Sequence, residues 1–180
     1  RSEYIGLSKT HSFDDLVTDS AASATAMSSG VKTNNKVIGL DSNDNSVETI
    51  LEMCIKLGYS TAIVVTSSIV HASPASYYAH VENRYEYDKI ANQLSKSKVD
   101  FFIGGGEKYF INRSDKRNLI KEMNKYYFPK NLDEYQKSNS KKIGFLTAYE
   151  EPIKKFKNRE PSLDKACLLY TSDAADEEDS

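Results

Sequence analysis

The 180-residue chain predicts an α/β fold with a parallel-sheet core flanked by helices. Three observations carry that expectation. Short strands are expected at residues 61–65 and 99–103, with a further short one at 142–146 where the pattern weakens. Between them apolar residues recur at helical spacing, so helices and strands alternate as crossover-linked parallel strands require. The first two strands also lead into polar, small or glycine-rich segments. Beyond the carboxyl ends of parallel strands is where functional groups gather.

The first element lies in VTDSAASATAMSSG, residues 17–30. From Ala21 onward its helix propensity is high, and Gly30 offers a left-handed end, so a helix is expected over 21–29 with Ser20 at its start. The first amides of a helix lack internal partners and the macrodipole is positive there, which suits a phosphate or similar anion held against a serine hydroxyl. Small neighbours would let backbone approach such a ligand closely. Asp19 and Ser20 are also ordinary capping residues, and an Ala/Ser-rich helix often lies flat on a sheet. Taken alone, the run fits the cap better than the nucleophile.

A turn-rich stretch follows, then a helix over 46–57 whose Val47, Ile50, Leu51, Cys54, Ile55 and Leu57 make one apolar face. Strand 61–65 leads to His71, with Ser73 as a helix cap and Pro74 at the first helical position. His80 falls on that helix as a packing or hydrogen-bonding histidine; His11 has no assigned role. A second helix spans 87–96, a strand 99–103, a helix 115–126 and a last strand 142–146.

Two patterns are set aside. Asp41, Asn43, Asn45 and Glu52 fall on oxygen-ligand positions of a calcium loop, but Ser46 stands where its sharp turn needs glycine. They read as a polar turn before a helix. Gly104, Gly105 and Gly106 lack the spacing of a nucleotide cradle and read as a strand-end turn.

Val17, Asp19, Ser20, Ala21, Ala22, Ser23, Ala24 and Thr25 together resemble the nucleophile signature of the alkaline phosphatase family. The resemblance continues through GVKTNN (30–35), TSSIVHASPASYYAHVENR (66–84) and DFFIGGGEKYF (100–110), in order and at matching spacing. It implies a three-layer sandwich, incomplete in this chain, with residues 1–166 as part of a catalytic domain. It implies hydrolysis of small-molecule phosphate monoesters through a phosphoserine on Ser20, by an extracytoplasmic homodimer. A serine hydroxyl needs a base or a metal to attack at neutral pH. With three histidines, no nucleophile elbow and Asp19 adjacent in sequence, metal activation is favoured. The resemblance supplies two zinc ions, one bound by Ser20, and one magnesium ion, with Ser73 as a hydroxyl ligand.

His71 stands where some bacterial members carry aspartate and resembles the histidine of the animal type. A hard cation prefers oxygen, so the exchange weakens direct magnesium binding or hands coordination to water. Arg84 falls on the family's phosphate-clamping arginine, whose planar guanidinium can grip two phosphate oxygens, and Asp19 on its orienting partner. Further metal ligands of the family lie before Ser20 and after Arg84, and no histidine follows His80. The expectation is an enzyme in the intact protein and an inactive chain in isolation. The rivals are a non-catalytic phosphate- or metal-binding homologue and a sulfatase or phosphodiesterase of the same superfamily.

Cys167 to Glu177 resembles the translation of a transposon-end adapter used in sequencing libraries, so 167–180 is expected to be a non-native, disordered tail. The whole chain carries 24 basic and 26 acidic residues, net −2; without the five acids of that tail the balance is 24 against 21, or +3. Neither value points to nucleic acid. Setting Cys167 aside leaves Cys54 alone, so no disulfide framework is expected. No apolar run reaches the roughly 18 residues of a membrane helix.

Overall fold

A computed structural model of the chain describes residues 6–152, 161–162 and 165–168. Its elements run α1 (Ser20–Ser29), α2 (Ile50–Lys56), β1 (Ala62–Ser68), α3 (Ala72–Ala75), α4 (Tyr87–Lys96) and β2 (Phe101–Gly105), then α5 (Lys108–Ile111), α6 (Leu119–Glu122), α7 (Leu132–Gln136) and β3 (Ile143–Leu146). Among the described residues the strands form one parallel sheet in the order β1-β2-β3. Each parallel step needs a crossover. The first contains α3 and α4, the second α5, α6 and α7.

The pleat of β2 explains the layering. Phe102 enters a core with Ile90 and Leu94 of α4, Phe110 of α5 and Leu119 of α6. Phe101 and Ile103 belong to a second core with Tyr135 of α7, Ile143 and Phe145. Alternate side chains point to opposite faces, so the central strand is buried on both sides, as in helix-covered parallel sheets. The α/β class read from the sequence is the one found.

Several boundaries differ. The helix expected over 46–57 begins only at Ile50, because Thr49 and Glu52 form a reciprocal capping box: the Thr49 hydroxyl accepts the Glu52 amide at 3.2 Å, and the Glu52 carboxylate accepts the Thr49 amide at 2.9 Å. Residues before it are extended, with the Val47 amide donating to the Gly39 carbonyl at 2.9 Å. The helix expected from Pro74 is the short α3, with His71 at its N-cap position making no side-chain cap bond and Ser73 inside its first turn. Beyond it the chain straightens so that Val81 can pair with Ile38, and His80 therefore lies outside any helix. Its hydrogen-bonding role holds, with Nδ1 2.6 Å from the Gly39 carbonyl and Nε2 3.0 Å from the Glu52 carboxylate.

The helix expected over 115–126 shrinks to α6. Lys116 is left-handed at φ 60°, and Asp115 is held by the Arg113 guanidinium at 2.9 and 2.7 Å, so this segment forms a turn before Asn118 caps α6. Of the expected tail, 169–180 lies outside the described residues, while 167–168 end a helical turn.

Candidate active site

Asp19 is the N-cap of α1. Its extended backbone (φ −95°, ψ 178°) turns the carboxylate back over the first turn, where Oδ1 accepts the Ala22 amide at 2.9 Å. That leaves Oδ2 free to accept Nη1 of Arg84 at 3.0 Å. The next residue, Ser20, is exposed at the first helical position. It lines a pocket of about 380 Å³ together with Thr18, Asp19, Met27, Ser73 and Tyr77. Ser20 and Ser73, 53 positions apart in sequence, thus face one space.

The small residues of α1 serve packing. Ala21, Ala22, Ala24, Thr25 and Ser28 are buried, and the helix packs on α3, with the Ser28 hydroxyl donating to the Ser76 carbonyl at 2.6 Å. Their size permits close approach of two helices. Ala21 and Ala22 thus turn inward, while Ser23 and Ala24 line the same pocket as Ser20.

Arg84 arrives on the segment after the Ile38–Val81 bridge, its amide donating to the Lys36 carbonyl at 2.8 Å. Its guanidinium also lies 3.4 Å from Nε2 of His71 and 5.7 Å from the centroid of the Tyr85 ring, within cation–π range. His71 is fixed just past the carboxyl end of β1, its amide donating to the Ser68 carbonyl at 3.1 Å. Carboxylate, guanidinium and imidazole therefore form one chain of contacts beside the exposed serine.

The Asp19 and Arg84 side chains are 24% and 14% exposed, so the pair is sheltered without being fully desolvated. Burial pushes the Asp19 carboxyl upward, but the Ala22 amide, the Arg84 guanidinium and the Lys36 amide outweigh it and hold the group below its ordinary range. It is a carboxylate at neutral pH.

The residues present do not complete a metal site. Among the described residues no group of three or more His, Cys, Asp or Glu is arranged to hold an ion. A zinc ion needs about four donors and Ser20 offers one oxygen; for magnesium there is the Ser73 hydroxyl with His71 nearby, short of an octahedral set. The calcium-loop pattern is spent internally. The Asp41 carboxylate accepts the amides of Asn43 and Asn45 at 2.8 and 2.9 Å. Two larger clefts, of about 570 and 640 Å³, contain neither Ser20 nor Arg84.

The alkaline phosphatase family model matches residues 1–144 of this chain. The chain belongs to the alkaline phosphatase family. Alkaline phosphatase 4 of Bacillus subtilis is 47% identical over 125 residues, 65% of this chain and 27% of that protein. The repressible alkaline phosphatase of Saccharomyces cerevisiae is 42% identical over 118 residues, 63% of this chain and 21% of that protein.

Among solved structures, the alkaline phosphatase of the Antarctic bacterium TAB5 superposes with a TM-score of 0.86 at 39% identity, covering 91% of this chain and 49% of that one. A histidine-to-aspartate mutant of the TAB5 alkaline phosphatase, with magnesium bound in its M3 site, gives a TM-score of 0.86 at 37% identity, covering 93% and 49%. The chain thus spans about a quarter of these curated alkaline phosphatases and about half of the solved ones.

The site holds one feature that the sequence reading missed. Asn35 and Lys36 contact both partners of the Asp19–Arg84 pair. The only sequence signal was that Asn35 ends the GVKTNN segment; Lys36 follows directly after it.

Proposed function

We propose that this chain carries the nucleophile and phosphate clamp of a phosphate monoesterase, within a partial catalytic domain formed by residues 1–166. The observation that carries the proposal is the 3.0 Å Asp19–Arg84 bond, which ties the residue beside Ser20 to a cation 65 positions away. A phosphate at Ser20 would sit at the amino end of α1, one residue from the carboxylate that holds the guanidinium.

Ser20 Oγ attacks phosphorus, forming its P–O bond as the ester P–O bond breaks, and the alcohol leaves with a proton. Water then attacks the phosphoserine, releasing inorganic phosphate and restoring the hydroxyl. Arg84 neutralises charge on the transferring oxygens, and Asp19 holds its orientation. On this reading Ser20 would hold one of two zinc ions, and Ser73, with His71 nearby, would hold a magnesium ion; such ions would activate the serine hydroxyl. The other ligands such ions would need are not grouped among the described residues. A homodimer acting outside the cytoplasm rests on family membership alone.

The test uses the intact protein containing this chain, supplied with zinc and magnesium and assayed on an aryl phosphate. Ser20→Ala should lower kcat by at least about a thousandfold. Full activity in that variant would end the assignment. Faster turnover of a diester or a sulfate than of a monoester would replace the substrate class.

A further inference from the structure

The Val37 amide donates to the Asn34 carbonyl at 3.2 Å, closing a turn in which Lys36 is left-handed at φ 73°. The third position of such a turn favours glycine, and a lysine persists there only when its surroundings fix it. Bonds from this turn reach both halves of the site. Asn35 Oδ1 accepts the Asp19 amide at 2.8 Å, while its Nδ2 donates to the Val17 carbonyl at 2.9 Å. A residue in a parallel ladder donates to the residue before the one it faces and accepts from the residue after. The Asn35 carboxamide thus takes the place of a strand opposite Thr18 and fixes the extended backbone on which Asp19 enters α1.

The same turn reaches the other partner. The Lys36 carbonyl accepts the Arg84 amide at 2.8 Å, so adjacent residues hold Asp19 and Arg84 from one side. The turn is itself tied back to the segment before α1. The Asn35 amide donates to Asp14 Oδ1 at 2.9 Å, and the Ser12 hydroxyl donates to the same oxygen at 2.9 Å.

We infer that Asn35 is a positioning residue that acts through Asp19 to set Ser20 and Arg84 in register for phosphate. The inference rests on the phosphatase reading above, and it specifies what fixes the geometry of that site. Asn35→Ala removes both carboxamide bonds. Asn35→Asp keeps an acceptor for the Asp19 amide but sets an oxygen against the Val17 carbonyl.

The experiment compares the intact, metal-supplied protein with Asn35→Ala, Asn35→Asp, Asp19→Ala and the Asp19→Ala/Asn35→Ala double variant. Calorimetry reads inorganic phosphate affinity, steady-state assays read kcat and KM on an aryl phosphate, and circular dichroism confirms folding. Each Asn35 variant should lose about tenfold in phosphate affinity and in kcat/KM, as expected of a displaced clamp. In the Asp19→Ala background the loss on removing Asn35 should be smaller than in the parent, because the carboxylate through which Asn35 orients Arg84 is gone while its bonds to the backbone at residues 17 and 19 remain. Parental phosphate affinity in Asn35→Ala, or an equal loss with and without Asp19, overturns the inference. A parent that binds phosphate without turnover defeats the phosphatase reading instead, and the affinity comparison still decides the role of Asn35. A parent that binds no phosphate overturns both.

Discussion

Asp19→Asn and Asp19→Ala separate two tasks that one carboxylate performs. Its Oδ1 accepts the Ala22 amide at 2.9 Å and its Oδ2 accepts Arg84 at 3.0 Å. Asparagine caps a helix about as well as aspartate, so Asp19→Asn keeps the first bond and weakens the second; alanine loses both. Loss of the cap costs about 1 kcal/mol. The ion pair lies between two regimes, since its side chains are 24% and 14% exposed. Exposed pairs contribute up to about 1 kcal/mol, whereas breaking a buried pair costs about 3–5 kcal/mol; a value of about 2 kcal/mol suits this intermediate shelter. Urea denaturation at pH 7 should therefore show losses of about 2 kcal/mol for Asp19→Asn and about 3 kcal/mol for Asp19→Ala.

The dependence on pH fixes the sign. The folded state holds this carboxyl below its ordinary value of 3.8, so its stabilisation is complete above that value and is lost as pH falls through the folded-state pKa. The gap between parent and Asp19→Asn should stay level through the neutral range and narrow only in acid. Losses below about 0.5 kcal/mol in both variants would refute the reasoning, because the pair would then behave as an exposed one. A gap that widens in acid would reverse the assigned direction of the shift.

Further perturbations probe the strand ends and the turn. The Ser68 hydroxyl is buried and has no hydrogen-bond partner among the described residues, so Ser68→Ala should raise stability by about 1 kcal/mol in thermal melts; a decrease would show that the hydroxyl is satisfied. At φ 96°, Gly106 has no room for a Cβ against that hydroxyl, and Gly106→Ala should destabilise by about 1–2 kcal/mol from the backbone alone, with the overlap in addition. Adding Ser68→Ala should relieve the overlap and leave the backbone part; complete recovery would contradict this. Lys36→Gly should gain about 0.5–1 kcal/mol by easing the left-handed turn against a larger unfolded-state entropy, and a lower melting temperature would count against strain at that position.

What the sequence made legible follows the range over which each signal acts. The bounds of α4 were read to the residue because Ile90, Ala91 and Leu94 repeat at helical spacing and are buried together. The Thr49–Glu52 capping box was equally local and could have moved the start of α2 to Ile50 on sequence alone. By contrast α3, α5 and α6 are four residues long and α7 five, about one turn each, which is too short to display a period. Their placement is decided by what they pack against.

The site divides along the same line. Asp19 and Ser20 were visible because capping is a relation between residues three positions apart, and a helix of small residues advertises its own start. Arg84 was visible only through the family pattern, since its bond to Asp19 spans 65 positions and depends on the Ile38–Val81 bridge that delivers it. Asn35 was marked only by its place in the GVKTNN segment, which says nothing of its role: a side-chain amide that replaces a strand, 16 residues from its partner, shows no periodicity. The chemical groups are written locally in this chain, whereas their mutual positions come from long-range backbone bonds. For that reason Lys36, whose carbonyl rather than side chain holds Arg84, should tolerate glycine far better than proline: at φ 73° the proline ring cannot follow the turn, and the Arg84 anchor would be lost with it.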